Sequence, residues 1–196
     1  MATWTRNIAM PDRTALRTAS GSAAKWSPFV VALALSALSA LGVLIIYSPF
    51  LAVPLISDDY LQIDLARRLN LPGGYADLAA DVLYRSRATS LVLTNLTDNA
   101  FGPDAAWHRA LNFLFHAINV LLVAGLGAWS RIGYRLSIPA AAVFLAAQNH
   151  QEAIVWTAAL PELLVATCVL AALNAWIQAL NRRSVLWMGV ATLCYL

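Results

Sequence analysis

Two adjacent carboxylates, Asp58 and Asp59, directly follow the apolar run 29–56 and are the first candidates for chemistry in this chain. Ionisable groups are costly to hold at the mouth of a membrane span, so a functional role is a reasonable default. A carboxylate there could deprotonate a sugar hydroxyl, which is a poor nucleophile until it loses its proton. The pair could also bind a divalent metal, Mg²⁺ or Mn²⁺, since these hard cations prefer carboxylate oxygens. The alternative without chemistry is that the two acids mark the point where a helix reaches water.

Three arginines could hold a phosphate group, because the guanidinium fork matches phosphate oxygens in pairs. They are Arg85, Arg87 and Arg109. Their alternative is pairing with nearby aspartates or with lipid headgroups. His150 and Glu152 stand at the end of an apolar run and could orient a phosphate or an acceptor, or could simply cap that run at the interface.

A polar face runs along one otherwise apolar stretch, where His108, Asn112, His116 and Asn119 recur at helical spacing. Side chains of this kind inside a membrane helix typically bond to neighbouring helices. We therefore expect them to form interhelical hydrogen bonds.

The composition predicts an integral membrane protein. Of 196 residues, 60% are apolar and 12% are charged, whereas soluble domains carry about 25% charged residues. Leu, Ala, Val and Ile dominate without the alternation of a barrel, so we expect an all-α polytopic membrane protein. The net charge of +3 is not gathered in a basic stripe, so no nucleic-acid partner is expected. The two cysteines lie in apolar runs and suggest neither a disulfide nor a metal site.

The apolar runs predict about five transmembrane helices after a cytoplasmic tail at 1–26, so that 27–196 forms one transmembrane module. The long polar segment 57–106 is the first non-cytoplasmic loop, with amphipathic helices expected over 61–69 and 75–95. A loop carrying Arg131 and Arg135 should follow the second span. The expected spans cover 27–47, 107–129, 136–147, a fourth from 154 or 163 to 180, and a fifth from 184.

Basic residues predict the orientation, because cytoplasmic loops are enriched in Lys and Arg. The tail, the loop with Arg131 and Arg135, and the segment 181–183 are all basic and nearly free of acid. Placing them in the cytoplasm puts the N-terminus there and the candidate site on the opposite side. The residues expected together at that non-cytoplasmic face are Asp58, Asp59, Arg85, His108, Arg109, His150 and Glu152.

Several short motifs, taken in order, resemble the N-terminal module of GT-C glycosyltransferases. The nearest branch is the protein O-mannosyltransferase-like membrane proteins that carry C-terminal tetratricopeptide repeats. The resemblance extends from about residue 29 to the end of the chain. Its motifs are Asp58-Asp59-Tyr60, Tyr84-Arg85-Ser86, Ala100-Phe101-Gly102, the run from His108 to Asn119, the run from His150 to Trp156, and Glu162-Leu163-Leu164.

This resemblance implies a hexosyltransferase that moves a sugar from a polyprenyl-phosphate-linked donor to a glycan, lipid or protein acceptor. The site would face the periplasm of a bacterial inner membrane, with a catalytic or metal-linked role on Asp58 or Asp59. Arg85 and the pair His150 and Glu152 would lie on the phosphate or substrate side. Family members continue through further spans, so the chain is expected to be the N-terminal part of a longer protein.

Two other functions stay open from the sequence. A non-catalytic membrane module could bind lipid-linked glycans or scaffold envelope assembly, an option raised by Ser86 where the family has proline. A transporter fragment would carry charges buried in mid-span, yet apart from His116 the spans are nearly free of ionisable groups.

Overall fold

The structure, a computed structural model, describes residues 28–147 and 151–195, and throughout this part of the chain it contains only α-helices and short 3₁₀ turns. The expected all-α class is therefore confirmed. Residues 28–33 belong to a separate compact unit from Ala34–Leu196, and the packing below lies within the second unit. The predicted tail at 1–26 lies outside the described residues. The helices are α1 (Pro28–Tyr47), α2 (Asp58–Arg67), α3 (Gly74–Ala80), α4 (Val82–Ser86), α5 (Ala88–Phe101), α6 (Ala105–Gly125), α7 (Tyr134–Ala146), α8 (Gln151–Val155), α9 (Leu160–Arg182) and α10 (Val185–Tyr195).

Three helical segments are long and apolar enough to cross a membrane: Val30–Ala52, Ala105–Ala128 and Thr157–Arg182. They contain α1, α6 and α9, and they support a membrane protein. The predicted count of about five spans is not confirmed, because α7 and α10 are apolar but short. The 13 residues of α7 rise only about 20 Å, against a hydrocarbon core about 30 Å thick.

The boundaries of the long helices follow from local chemistry. Pro49 lies in the first turn of the 3₁₀ segment Ser48–Ala52 that ends α1, and Pro161 lies in the first turn of α9. At the start of α6, the Asp104 side chain accepts a hydrogen bond from the Ala106 N–H at 2.8 Å, which satisfies one of the free donors of a helix N-terminus.

The polar segment folds differently from the prediction in one respect. A single amphipathic helix over 75–95 is wrong, because the chain breaks at Asp81 and Arg87 to give α3, α4 and α5. Asp81 is extended, and its carboxylate accepts from the Tyr84 N–H at 3.3 Å, so a short polar side chain starts a new helix where the pattern predicted continuity. Val82 is consequently 70% exposed, whereas Leu91 is buried. The predicted break before α3 is confirmed by Gly73, whose φ of +85° favours glycine.

Helix α2 and the 3₁₀ turn that follows it pack against α5 through Ala66, Leu69 and Leu91. A bidentate ion pair fastens the same contact, since Arg67 donates to both carboxylate oxygens of Asp98 at 2.7 and 2.9 Å. The hydrogen bond and charge of Asp98 raise the pKa of the Arg67 guanidinium, so this cation is retained at any physiological pH. Apolar packing and an ion pair therefore both hold the helices of the polar segment together.

The polar face of α6 makes the expected interhelical hydrogen bonds. Asn112 donates to the Trp156 carbonyl at 2.9 Å, and Asn119 donates to the Leu163 carbonyl at 3.1 Å. His116 Nε2 lies 3.5 Å from the Leu145 carbonyl. The prediction is confirmed for these three residues but not for His108, and the bonds fix α6 against α7, against α9 and against the segment that leads into α9.

The opposite ends of α6 and α9 also meet, where Asn181 donates to the Ala128 carbonyl at 3.0 Å. Arg131 stacks over Trp129 and Arg182 over Trp187, with guanidinium-to-ring distances of 5.9 and 5.8 Å. Arg135 lies in the first turn of α7 rather than in the predicted loop. The end of the bundle that carries these arginines is thus the far end from α2.

Candidate functional site

Three chain segments meet at one end of the bundle: the loop after α1, the start of α6 and the segment that leads into α9. Arg109, on α6, hydrogen-bonds to the other two segments. Its Nε donates to the Val155 carbonyl at 3.1 Å and its Nη2 to the Pro54 carbonyl at 2.7 Å, while Nη1 donates to the Val53 carbonyl. The side chain is only 1% exposed. Three of the five N–H donors of the guanidinium are therefore committed to backbone oxygens.

Asp59 connects the same two segments from the opposite side. One carboxylate oxygen accepts from the Ile56 N–H at 3.1 Å, and the other accepts from the Ala158 N–H at 2.9 Å. The residue is fully buried, and its negative charge interacts with Arg109. We call this arrangement the Asp59–Arg109 brace. Its observed role is structural, because Arg109 and Asp59 both hydrogen-bond the loop after α1 to the segment that leads into α9.

Asp58 faces elsewhere, since consecutive helical residues point about 100° apart. It is exposed, accepts a hydrogen bond from Ser57 Oγ at 3.2 Å, and stands in the first turn of α2, where the helix dipole favours an acid. Ser57 has a φ of +36°, a conformation that non-glycine residues rarely adopt and that costs about 1–3 kcal/mol. Ser57 directly precedes the two acids, so its backbone conformation sets the orientation of the first turn of α2.

Two cavities flank the acids. The first, which we call the acid cleft, has a volume of about 450 Å³. The second, which we call the brace cavity, has a volume of about 840 Å³. The polar and aromatic side chains of the acid cleft are Asp58, Gln62, Tyr84, Arg87, Trp156 and Glu162. The brace cavity is lined by Val53, Ile56, Asp59, Arg109, Gln151, Glu152, Val155 and Trp156. Trp156 lines both cavities and so separates them.

Comparison of the chain with protein families, with curated proteins and with solved structures finds no match.

Of the other residues predicted for the site, some line the acid cleft or the brace cavity and others do not. Glu152 is exposed and lines the brace cavity. Arg85 is exposed at the end of α4 and lines neither cavity, whereas Arg87 lines the acid cleft. His108 is buried next to the Gly102 backbone and lines neither cavity. His150 lies outside the described residues.

Sequence reasoning missed Gln62. The side chain is 2% exposed and lines the acid cleft. The available signal was its spacing, because Asp58 and Gln62 are four residues apart and therefore share one face of α2. Glu162 was noticed only as part of a motif, yet it lines the same cleft from the first turn of α9.

The carboxylates do not fit a metal ion held by Asp58 and Asp59 together. The two side chains line different cavities, and both oxygens of Asp59 already accept backbone N–H groups. Among the described residues, no group of three or more His, Cys, Asp or Glu side chains is arranged to hold a metal.

Proposed function

We propose that this chain is the N-terminal part of a membrane glycosyltransferase that transfers a sugar from a polyprenyl-phosphate-linked donor to an extracytoplasmic acceptor. The observation that supports it best is the position of Asp58, an exposed carboxylate on a cleft where membrane-crossing helices end. Lipid-linked donors and water-borne acceptors can meet only at such a boundary. The order of the short motifs adds to this support.

In the proposed reaction, an acceptor hydroxyl oxygen forms a bond to the anomeric carbon of the donor sugar while the bond from that carbon to the phosphate oxygen breaks. The hydroxyl proton passes to the Asp58 carboxylate, and the bonding electrons leave with polyprenyl phosphate. Arg87 lines the cleft, so this cation would offset the developing charge of the phosphate. Asp59 and Arg109 would hold the frame without contacting the substrate.

The proposed orientation keeps the N-terminus in the cytoplasm of a bacterial inner membrane and the site in the periplasm. Its support is the separation of charge along the bundle. Arg131 and Arg182 lie at the end of α6 and α9 far from the cleft, as expected when basic residues remain in the cytoplasm.

The test replaces Asp58 with asparagine, which has nearly the same shape and cannot accept the proton. Membrane vesicles containing the protein would be given a panel of radiolabelled polyprenyl-phosphate hexoses, and transfer to acceptor would be measured. We expect Asp58→Asn to lower the transfer rate by about 10²–10⁴-fold, the usual contribution of a general base. Asp64→Asn is the matched control, because Asp64 is another exposed acid of α2 and pairs with Arg68 instead. Equal transfer by Asp58→Asn and Asp64→Asn would contradict the proposal.

One observation favours a second candidate, a non-catalytic module that binds lipid-linked glycans. The buried acid and the buried arginine of the site are both occupied by backbone groups, as in a scaffold. This candidate predicts saturable binding of a polyprenyl-phosphate hexose and no transfer from any donor in the panel.

A further inference from the structure

We infer that the acid cleft binds a hexose ring that carries no negative charge, and that the buried amide of Gln62 accepts a hydrogen bond from one of its hydroxyls. The inference rests on the proposed function, because it assigns one part of the substrate to the site. It concerns the ring itself, which could belong to the donor or to the acceptor.

The first step is an unsatisfied acceptor. Gln62 Nε2 lies 3.4 Å from both Ser90 Oγ and Thr94 Oγ1, while Oε1 is buried and has no hydrogen-bond partner among the described residues. Ser90 Oγ donates its only proton to the Arg87 carbonyl at 2.8 Å and is left to accept from Gln62, which favours the amide orientation with Nε2 toward Ser90. A buried polar atom without a partner is costly, so Oε1 indicates a missing donor.

The second step is the chemistry around that atom. Asp58 and Glu162 line the same cleft as acceptors, and no described residue forms an ion pair with either of them. Three acceptors around one cleft suit a ligand with several hydroxyl donors. Trp156 and Tyr84 supply aromatic surface for the apolar face of a sugar ring. The volume of about 450 Å³ lies within the usual range for small-ligand sites.

The third step is charge. The cleft holds two carboxylates and one guanidinium, and the proposed reaction assigns that guanidinium, Arg87, to the departing phosphate. A sugar carboxylate would then face Asp58 and Glu162 without a free cation to pair with. Like charges at short distance repel, and binding has to overcome that repulsion. A neutral hexose avoids this cost and still donates to all three acceptors.

The experiment uses the protein in lipid nanodiscs and ligand-observed NMR with methyl glucopyranoside, methyl mannopyranoside and methyl galactopyranoside. The matched anionic probe is methyl glucuronopyranoside, which differs from the first by one carboxylate. We expect saturable binding of at least one neutral glycoside, and binding of the glucuronide that is at least about tenfold weaker than that of the glucoside. Equal binding of the glucoside and the glucuronide, or no binding of any neutral glycoside, would overturn the inference.

Gln62→Met tests the amide, because methionine has a similar length and no acceptor of comparable strength. We expect about tenfold weaker glycoside binding, with the Asp64→Asn control unchanged. If Gln62→Met lowers the melting temperature but leaves the affinity unchanged, the amide is structural and the inference fails. If that variant does not fold, the exposed Glu162→Gln replaces it, with the same tenfold loss expected and unchanged binding as the contrary result.

Transfer assays separate this inference from the proposed function. Glycoside binding that depends on Gln62, with no transfer from any donor, would sustain the inference and refute the enzyme. Transfer that is unaffected by Gln62→Met and Glu162→Gln would sustain the enzyme and refute the inference. A raised KM for the acceptor alone would place the acceptor ring in the cleft, and a raised KM for the donor alone would place the donor sugar there.

Discussion

Replacing Arg109 with methionine should destabilise the protein strongly, because it removes the centre of the brace. The change leaves the carbonyls of Val53, Pro54 and Val155 without their charged donor and leaves Asp59 as a buried negative charge. Each hydrogen bond to a charged group is worth about 1.5–3 kcal/mol. These contributions do not add fully, and the attraction between Arg109 and the Asp59 carboxylate is lost with them. We therefore expect a loss of about 3–5 kcal/mol in the free energy of unfolding, or about 6–20 °C in melting temperature for a chain of this size.

The assay is thermal unfolding of the purified protein in one detergent, followed by aggregation or by tryptophan fluorescence. Arg85→Met is the matched control, since Arg85 is exposed and the same substitution there should change the melting temperature little. Arg109→Lys should fall between the two. Lysine keeps the charge opposite Asp59, but one ammonium cannot replace a guanidinium that donates from three nitrogens to two segments.

A contrary result is easy to recognise. If Arg109→Met melts like the parent protein and instead loses affinity for a polyprenyl-phosphate ligand, the guanidinium binds phosphate and the brace is not its function. The role first expected from the sequence would then be restored.

Two further predictions concern packing and topology. Gly127→Ala should lower the free energy of unfolding by an amount typical of overpacking, about 1–3 kcal/mol, because its new Cβ would lie 2.9 Å from the Tyr134 Cα. Gly189→Ala should cause no such loss, since among the described residues nothing beyond its own helix backbone and chain neighbours lies within 4 Å of the added methyl group. Cysteines placed at Asp58 and Arg131, in a background without the two native cysteines, should react with impermeant maleimide from opposite sides of the membrane; labelling of both from one side would contradict the proposed topology.

The sequence predicted those features that depend on composition and helical periodicity. The three long helices follow from runs too apolar for water, and the bonds of Asn112 and Asn119 follow from a polar face that had to point toward other helices. The predicted third and fifth spans correspond to apolar helices, but these helices are shorter than the three candidate membrane spans, so the count of five is not confirmed. The helix over 75–95 failed because the local bond from Tyr84 to Asp81 outweighed the periodic pattern.

The candidate site was less predictable, because it depends on contacts between distant parts of the chain. Asp58 and Asp59 look equivalent in the sequence, and what distinguishes them is the Ala158 N–H, 99 residues from Asp59. Arg109 likewise has the residue type of a phosphate ligand, and only its distant carbonyl partners indicate another role. Adjacency along the chain showed where the acids lie, but not which one is available to a substrate.

The segment 155–159, which contains the short turn Thr157–Ala159 and leads into α9, lies next to both cavities and connects them. Arg109 holds it at Val155, Asn112 at Trp156 and Asp59 at Ala158, so the indole that separates the cavities is anchored on both sides. A ligand that displaces the turn toward one cavity must reshape the other by the same movement. If binding in one compartment moves the turn, affinity in its neighbour will change, and by thermodynamic reciprocity the influence is equal in both directions.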